Sequence, residues 1–289
     1  MDLLTYILTN KGRVLLDGGM GTQLDARGAP MGGTSCLSHP EVVLAVHQAY
    51  VEAGADLLIT NTLTMNRVNL TALDFDVDVR EVNLAGAKLA RQAAVSGKFV
   101  LGDISTTGQI LQPFGELTEE IATASFVEQA SILAEGGVDG FIIETMFDLN
   151  ETILAVQACK SAADLPVIAS MTFDTLNKGG RTMLGNAAAD CARNLEKAGA
   201  DVVGANCGSL SPMEMAEITK TMVNAVDVPV VIQPNAGKPQ YKAGVTFFDM
   251  GPEPFAEGIA ACLENGASLV GGCCGTTPEH IGLIAKMIK

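Results

Sequence analysis

Three cysteines follow two apolar segments of this 289-residue chain in a pattern that could bind a metal ion. Cys207 ends the apolar segment 202–207, and Cys273 and Cys274 stand side by side in the glycine-rich segment 271–278. Adjacent residues of a regular strand point to opposite faces, but glycines permit a bend that brings both sulfurs toward one point. The pattern predicts three sulfurs around one soft cation, zinc, at the ends of two strands.

A sulfur-rich zinc site suits the activation of a thiol better than the activation of water. Three thiolates leave Zn²⁺ with a net charge of about −1, so the ion withdraws little further charge from a bound water, and hydrolytic zinc sites favour histidine or mixed ligands. Such a site matches a fourth thiol, which is deprotonated on coordination and stays nucleophilic. The cysteines therefore indicate alkylation of a thiol substrate.

The other cysteines and the histidines have simpler interpretations. A free cysteine is most often a small buried hydrophobic residue, which fits Cys159, Cys191 and Cys262 in helical segments and Cys36 in a predicted loop. No histidine falls at the end of a predicted strand, since His39 precedes a proline in a loop, His47 lies in a predicted helix and His280 opens the last one. The sequence therefore favours neither a histidine zinc site nor a Ser-His-Asp triad.

Short apolar segments alternate with amphipathic ones along the whole chain. The predicted strands are 14–17, 56–61, 99–103, 140–144, 167–173, 202–207, 228–234 and 269–273, and amphipathic helices include 41–53, 79–94, 119–135 and 151–162. A helix, a glycine and a buried strand recur at 52–56, 135–139, 197–201 and 264–268, which indicates an internal repeat. Eight predicted strands that alternate with helices predict an α/β fold, a (β/α)8 TIM barrel, as one domain over residues 1–289.

Active sites of TIM barrels lie at the carboxyl ends of the strands. Polar and sulfur-containing residues occupy those ends here: Asp17, Asn61, Asp103, Glu144, Asn206, Cys207, Asn235, Cys273 and Cys274. The three cysteines therefore belong to the predicted catalytic end of the barrel.

Composition excludes several classes of partner. Lys and Arg total 18 against 33 Asp and Glu, a formal charge of −15 with no basic patch, so nucleic acid and anionic membranes are unlikely partners. The N-terminus has no basic region before its short apolar stretch, and no apolar run approaches the roughly 18 residues of a membrane span. Seven cysteines, an odd number, indicate reduced thiols and a cytoplasmic protein.

Five motifs carry a resemblance to a known family: DGGMGT at 17–22, TNT at 60–62, GANC at 204–207, PNAG at 234–237 and GGCCGTTP at 271–278. With these motifs the chain resembles the homocysteine S-methyltransferase family over essentially its whole length, and within it the homocysteine-binding module of cobalamin-dependent methionine synthases. The resemblance implies a (β/α)8 barrel, a catalytic Zn²⁺ held by Cys207, Cys273 and Cys274, homocysteine as methyl acceptor and methionine as product.

The remaining strand-end residues fit an amino-acid substrate. Glu144 is the candidate to bind the ammonium group, assisted by Asp17, and the alternative for Asp17 and Asp103 is capping of the next helix. Asn235 could occupy the open zinc position, or it could simply form a turn. The backbone N–H groups of the glycine-rich turn 18–22 are predicted to bind the carboxylate of the substrate. The full set of candidate substrate-binding residues is Asp17, Gly18, Gly19, Met20, Gly21, Thr22, Asn61, Glu144, Asn206 and Asn235.

The methyl donor is open among several candidates. Betaine is disfavoured because its quaternary ammonium needs an aromatic cage, and the chain has no Trp and only three Tyr. We expect methylcobalamin on a separate corrinoid protein, since 289 residues leave no room for folate- and cobalamin-binding modules. The alternative within the family is a small sulfonium donor, S-methylmethionine or S-adenosylmethionine. Two other classes remain. One is a phosphate-binding TIM-barrel enzyme, although this chain has no lysine at the end of a predicted strand for Schiff-base chemistry. The other is a non-enzymatic zinc- or thiol-binding module.

Overall fold

The computed structural model describes residues 1–242 and 245–289, and its strands build one barrel with a small hairpin. In chain order the strands are β1 (Val14–Leu15), β2 (Leu57–Ile59), β3 (Phe99–Ile104), β4 (Gly140–Met146), β5 (Val167–Met171), β6 (Val202–Asn206), β7 (Val230–Gln233), β8 (Gln240–Lys242), β9 (Val245–Phe247) and β10 (Leu269–Val270).

Helices alternate with the barrel strands. They are α1 (Leu3–Thr9), α2 (Met20–Asp25), α3 (Ser35–Ser38), α4 (Pro40–Ala53), α5 (Arg67–Ala72), α6 (Val79–Ala93), α7 (Glu119–Glu135), α8 (Leu149–Ala162), α9 (Ala188–Ala198), α10 (Pro212–Val223), α11 (Pro252–Glu264) and α12 (Pro278–Ile288), with a 3₁₀ turn at Asn177–Gly179. The amphipathic segments predicted from the sequence coincide with α4, α6, α7 and α8 to within two residues.

Eight parallel strands form the barrel in the order β1-β10-β7-β6-β5-β4-β3-β2. A parallel bridge between Leu16 and Leu57 joins the two ends of the sheet, and the N–H of Asp17 donates to the carbonyl of Leu57 at 3.1 Å. This is the predicted (β/α)8 architecture, so the carboxyl ends of all eight strands meet at one rim.

Alternate residues of the strands fill the barrel interior with apolar side chains. Each strand contributes one or two of them: Val14, Leu16, Leu57, Ile59, Leu101, Ile142, Ile168, Val202, Val231 and Leu269. Helix α1 adds Leu3 and Ile7 to the same cluster and so covers the amino-terminal end of the barrel. Because side chains alternate along a strand, the residues two positions beyond Leu101, Ile142 and Val231 also point inward, at the opposite end.

The helix-glycine-strand repeat has a structural basis at the amino-terminal end. Gly54 and Gly199 end α4 and α9 in the left-handed conformation, with φ of 106° at both. The aspartates that follow bind the backbone of the preceding strand: Asp56 accepts from Leu15 N–H, Asp139 from Val100 N–H and Asp201 from Val167 N–H, at 2.7–3.1 Å. Three of the four repeats therefore carry an aspartate that fixes strand register.

Some predicted boundaries were wrong. The last barrel strand ends at Val270 and not at residue 273, and β6 and β7 end at Asn206 and Gln233, so the three cysteines lie just beyond the strands in turns. Turns release the strict alternation that would separate Cys273 from Cys274. Cys36, expected in a loop, lies in the short helix α3, and the hairpin β8–β9 was not predicted.

Within the described residues, no helix combines the length and the apolar character that crossing a membrane requires.

Candidate active site

The three cysteines predicted to bind metal converge at the carboxyl end of the barrel. The sulfur atoms of Cys207, Cys273 and Cys274 all lie within 4.8 Å of one another. Among the described residues, these three side chains are close enough together to hold one metal ion. The predicted convergence of three sulfurs from two strands is confirmed.

Strand β7 positions both arms of the cluster. It lies between β6 and β10 in the sheet, and its last residues accept hydrogen bonds from both sides. Cys207 N–H donates to the Gln233 carbonyl at 3.1 Å, and Cys273 N–H donates to the Pro234 carbonyl at 2.8 Å. Cys207 adopts a left-handed conformation, with φ of 56°, which is rare for a residue with a side chain. Backbone strain of this kind is typical of functional sites.

The glycine-rich turn after β1 packs directly against the cysteine turn. A Cβ atom at Gly19 would lie 2.5 Å from the carbonyl oxygen of Cys273, and one at Gly18 would lie 2.6 Å from Thr276 Oγ1. Thr276 Oγ1 accepts from Gly19 N–H at 2.9 Å and donates to the Cys273 carbonyl at 2.7 Å. The absence of side chains at Gly18 and Gly19 is therefore what allows the two turns to meet.

A cavity of about 330 Å³ opens over the cysteines. Its lining includes several of the predicted substrate-binding residues, Gly18, Gly19, Met20, Gly21, Asn61 and Glu144, together with all three cysteines. Asp17, Thr22, Asn206 and Asn235 are not among the lining residues, so their contact with substrate stays a prediction. The cavity also exposes Asp103, Thr145 and Gln233, which the sequence analysis had not assigned to substrate binding.

Carboxyl groups in and beside this cavity have strongly perturbed acidities. Burial raises the pKa of Glu144 to about 8, and the negative charge of Cys207 adds to this effect. Burial also raises the pKa of Asp17 and Asp103 well above the usual range, with smaller contributions from the neighbouring carboxylates. Oδ1 of Asp17, Oδ1 of Asp103 and Oε2 of Glu144 are enclosed and have no hydrogen-bond partner in the described residues. Perturbed acids with unpaired oxygens mark a site prepared for a ligand.

Helix capping, the alternative role considered for Asp17 and Asp103, is wrong. The residue that caps α2 is Gly19, without a side-chain hydrogen bond, and α7 is capped by Thr118. Asp17 Oδ2 instead accepts from the N–H of Ile59 at 2.9 Å, which links the ends of β1 and β2. Asp17 therefore orders the strand ends with one oxygen while its other oxygen is unpartnered.

Asn206 connects the end of β4 to the cysteine cluster. Its Oδ1 accepts from Thr145 N–H at 2.9 Å and Ser170 Oγ at 2.7 Å, and its Nδ2 donates to Thr145 Oγ1 at 2.8 Å and lies 3.9 Å from Cys273 Sγ. Thr145 is held in a left-handed conformation, φ 59°, where the register between β4 and β5 shifts. Such an irregularity re-aims neighbouring side chains, and Thr145 lines the cavity directly after Glu144. Asn206 thus supports the site through hydrogen bonds within the protein.

Hydrogen bonds within the cysteine cluster set its acidity. The thiols of Cys273 and Cys274 donate to the Cys207 sulfur and lower the pKa of Cys207 to about 3. The same interaction raises the pKa of Cys274 to about 12 and also raises that of Cys273. The three thiols therefore share one negative charge through hydrogen bonds between their sulfurs.

Asn235 lies against the cysteines as well. Its Nδ2 donates to the Gly208 carbonyl at 2.9 Å, and its Oδ1 is buried with no hydrogen-bond partner in the described residues. The Asn235 side chain also forms a hydrogen bond with Cys207 that helps lower the pKa of that thiol. That Asn235 occupies an open zinc position stays a prediction.

The glycine-rich turn after β10 does not offer its backbone to a phosphate group. The N–H groups of Gly271, Gly272 and Cys273 donate to carbonyls of Ile232, Asp17 and Pro234, at 2.8–3.1 Å. Gly275 N–H donates to Thr22 Oγ1 at 3.1 Å and Thr276 N–H to the Cys273 carbonyl at 3.2 Å. Because a phosphate cradle needs free N–H groups, this arrangement disfavours the phosphate-binding alternative.

The simpler interpretations of the other cysteines and histidines fit the structure. The three helical cysteines are buried: Cys159 in α8, Cys191 in α9 and Cys262 in α11. Burial is the main reason why the pKa of each thiol is raised. His39, His47 and His280 do not line the cavity in the described part of the chain.

Comparison with known proteins agrees with these features. The family model for homocysteine S-methyltransferases matches residues 14–288.

The chain belongs to the homocysteine S-methyltransferase family.

Two methionine synthases are similar to this chain in sequence, and a homocysteine methyltransferase is similar to it in structure. It is 33% identical to methionine synthase of Mycobacterium leprae over 294 aligned residues and 32% identical to that of Mycobacterium tuberculosis over 293. Each match covers 94% of this chain but 24% of the methionine synthase, so the chain spans about a quarter of the length of these relatives. The metallated form of the homocysteine methyltransferase MmuM from Escherichia coli has the same fold, with a TM-score of 0.79, 21% identity and coverage of 98% and 99% of the two chains.

The sequence did not predict that Gln233 and Thr145 line the cavity. Gln233 points into the barrel because it lies two residues beyond Val231 on the same strand. The continuous apolar run 230–232 gave no signal, because it does not show which of its residues face inward. Thr145 follows an irregular register in β4, and no sequence pattern indicated that irregularity.

Proposed function

We propose that this chain methylates homocysteine to methionine, with Zn²⁺ at the cysteine cluster and methylcobalamin on a corrinoid protein as the methyl donor. The observation that carries the proposal is the position of three sulfurs, within 4.8 Å of one another, on the wall of a cavity at the catalytic end of the barrel. Membership in the homocysteine S-methyltransferase family supports the same reaction.

The donor set fits zinc. Cys207, Cys273 and Cys274 would hold the ion, and three thiolates are a common protein ligand set for zinc. Zinc bound there would supply the positive charge that keeps the substrate thiol as a thiolate at neutral pH.

Residues on the other side of the cavity suit the amino-acid part of homocysteine. Glu144 lines the cavity with an unpartnered oxygen and would accept hydrogen bonds from the substrate ammonium group. Gly19 N–H is already used by Thr276, so the substrate carboxylate would be bound by N–H groups in the first turn of α2, which lack acceptors within the helix.

The shape of the rim supports a donor carried by another protein. Segments after β1, β3, β5 and β7 are long, at 16–39, 105–118, 172–187 and 234–251, whereas those after β4, β6 and β10 are short, at 147–148, 207–211 and 271–277. The short segments carry the cysteines. The long ones carry exposed apolar side chains, among them Met31, Ile110, Phe114, Met183, Leu184 and Tyr241.

Exposed apolar residues on several long loops of one rim are typical of a surface that meets another protein. Phe114 is 91% exposed and Tyr241 is 77% exposed. A protein-borne corrinoid would contact this rim while its methyl group reaches the cavity. No aromatic ring lines the cavity within the described residues, which disfavours betaine because a quaternary ammonium needs such a cage.

The chemical step replaces the S–H bond of the thiol by an S–CH₃ bond. The thiol proton leaves to solvent when the substrate binds, so binding should release about one proton. Zinc held by Cys207, Cys273 and Cys274 would present the substrate thiolate to the donor, and the donor would supply the methyl group and keep the electron pair of the bond that breaks.

The deciding experiment assays purified, zinc-loaded protein with homocysteine and four donors in parallel. We expect methionine from methylcobalamin, free or protein-borne, and none from betaine. Methionine from S-methylmethionine or S-adenosylmethionine without cobalamin would keep the family reaction but replace the donor. No methionine from any donor, together with no binding of homocysteine, would contradict the proposed function and favour a zinc- or thiol-binding module.

A further inference from the structure

Asp103, at the end of β3, is a buried carboxylate aimed into the cavity. Its side chain is 4% exposed and lines the same cavity as the cysteines. Oδ1 is fully enclosed without a hydrogen-bond partner, and neither side-chain oxygen accepts a hydrogen bond from residues in the described ranges 1–242 and 245–289. A carboxylate left unpaired in this way costs free energy unless a ligand completes it.

The backbone of Asp103, in contrast, is tightly held. Its N–H donates to Thr60 Oγ1 at 2.9 Å, and its carbonyl accepts from Thr62 Oγ1 at 2.8 Å and from Gln129 Nε2 at 3.5 Å. The two threonine hydroxyls also bond to each other at 2.7 Å. Side chains from α7 and from the segment directly after β2 therefore fix the position of this residue and leave only its carboxylate free, which is how a preorganised binding residue is built.

The group that would pair with Asp103 must be cationic and larger than a metal ion. Asp17, Asp103 and Glu144 affect one another's acidity, yet their oxygens are too far apart to be a candidate metal site among the described residues. No Lys or Arg lines the described part of the cavity. A cavity lined by two carboxyl groups, Asp103 and Glu144, and by no basic side chain is complementary to an ammonium-bearing molecule.

We propose that Asp103 is a substrate-binding residue that contacts the ammonium group of homocysteine together with Glu144. The inference rests on the proposed function, because it takes homocysteine as the ligand. In this arrangement the two carboxylates approach the ammonium from neighbouring strands, β3 and β4, and select amino acids over thiols that lack an amino group.

The test compares two ligands on one variant. Asp103→Asn keeps the shape of the side chain and removes no hydrogen bond within the protein. Calorimetric binding to zinc-loaded protein should show homocysteine weakened by roughly tenfold to a hundredfold. Binding of 4-mercaptobutanoate, which has the same thiol and carboxylate but no amino group, should change by less than about twofold. Zinc content should stay at the wild-type level.

Asp139→Asn is the matched control, since Asp139 accepts from Val100 N–H at the other end of the barrel and forms an ion pair with Arg91. That variant should lower the unfolding midpoint and leave both dissociation constants unchanged. Unaltered homocysteine binding in Asp103→Asn, or an equal loss for both ligands, would overturn the role of Asp103. Absence of homocysteine binding to the wild-type protein would instead contradict the proposed function itself.

Discussion

The backbone N–H of Cys207 donates to the carbonyl oxygen of Gln233 at 3.1 Å, so the end of β7 fixes the first cysteine of the cluster. The next carbonyl along the chain, that of Pro234, accepts from Cys273 at 2.8 Å. Two cysteines from non-adjacent strands are thereby held by consecutive residues of the strand between them. The cluster geometry therefore depends on the barrel backbone, which should keep its shape whether or not a metal is bound.

Replacing any cysteine of the cluster should abolish tight zinc binding. Cys207→Ala, Cys273→Ala and Cys274→Ala each leave two thiolates, too few protein ligands for a typical zinc site. Elemental analysis should find about one zinc per wild-type chain and little in each variant. Cys191→Ala, a buried helical cysteine outside the site, is the control and should retain zinc. Full occupancy in all three variants would exclude the assigned ligands, and global unfolding after metal removal would show that the site is structural.

Gly19 should be essential for the shape of the cysteine turn. In Gly19→Ala the new methyl group would lie 2.5 Å from the Cys273 carbonyl oxygen, so that turn must move. We expect zinc affinity to fall at least about tenfold, because small ligand displacements weaken a metal site. Competition with a chelating dye measures this. Gly21→Ala is matched in chemistry but has its nearest neighbour, Met31, at 3.8 Å, and it should bind zinc normally. Equal affinities for the two variants would contradict the packing argument.

Glu144→Gln should weaken homocysteine binding without removing zinc. The change removes a negative charge facing the substrate ammonium, and a hydrogen bond to a charged group contributes about 1.5–3 kcal/mol, so we expect a roughly tenfold to hundredfold loss. Calorimetry on zinc-loaded protein provides the dissociation constant. The des-amino analogue should bind wild type and variant alike, and normal homocysteine binding by the variant would place the ammonium site elsewhere.

Acid should destabilise the protein partly through His47. This side chain in α4 is fully buried, both ring nitrogens lack partners in the described residues, and burial lowers its pKa to about 4 from 6.5. The unfolded chain binds the proton more readily, so stability is lost as the pH falls from 6.5 toward 4. From pH 7 to pH 5 the loss through this residue is about 2 kcal/mol.

Urea unfolding of wild type and His47→Leu at pH 7 and pH 5 checks this expectation. The variant should lose less stability on acidification, while His39→Asn, which changes a histidine outside the core, should behave as wild type. An unchanged pH dependence in His47→Leu would contradict the assignment.

Phe114 should matter for a protein-borne donor and not for a free one. Phe114→Ser removes the most exposed apolar side chain among the exposed rim residues named above, on the loop after β3. We expect kcat/KM for a methylated corrinoid protein to fall several-fold, while the rate with free methylcobalamin stays the same. Leu8→Ser, an exposed apolar residue of α1 at the opposite end, is the control. Equal effects of both variants, or none, would contradict docking at this rim.

The sequence by itself determined the fold class and which three cysteines converge. Continuous apolar strands, amphipathic helices and the recurring helix-glycine-strand units are local patterns, and they predicted the barrel and four helices nearly to the residue. The cysteines could be placed at one end because parallel barrel strands all finish at the same rim. The family motifs, also local, carried the expectation of homocysteine chemistry.

Only the tertiary structure decided which polar residues face the cavity. Asp17, Asn206 and Asn235 stand at strand ends as expected, but their partners lie on β2, β4, β5 and the turn after β6, and no local pattern reveals such long-range hydrogen bonds. Asp103 and Gln233 became site residues because the inward alternation of β3 and β7 depends on the register of the closed barrel. Register is a property of neighbouring strands, so a single strand's sequence cannot fix which of its faces meets the substrate.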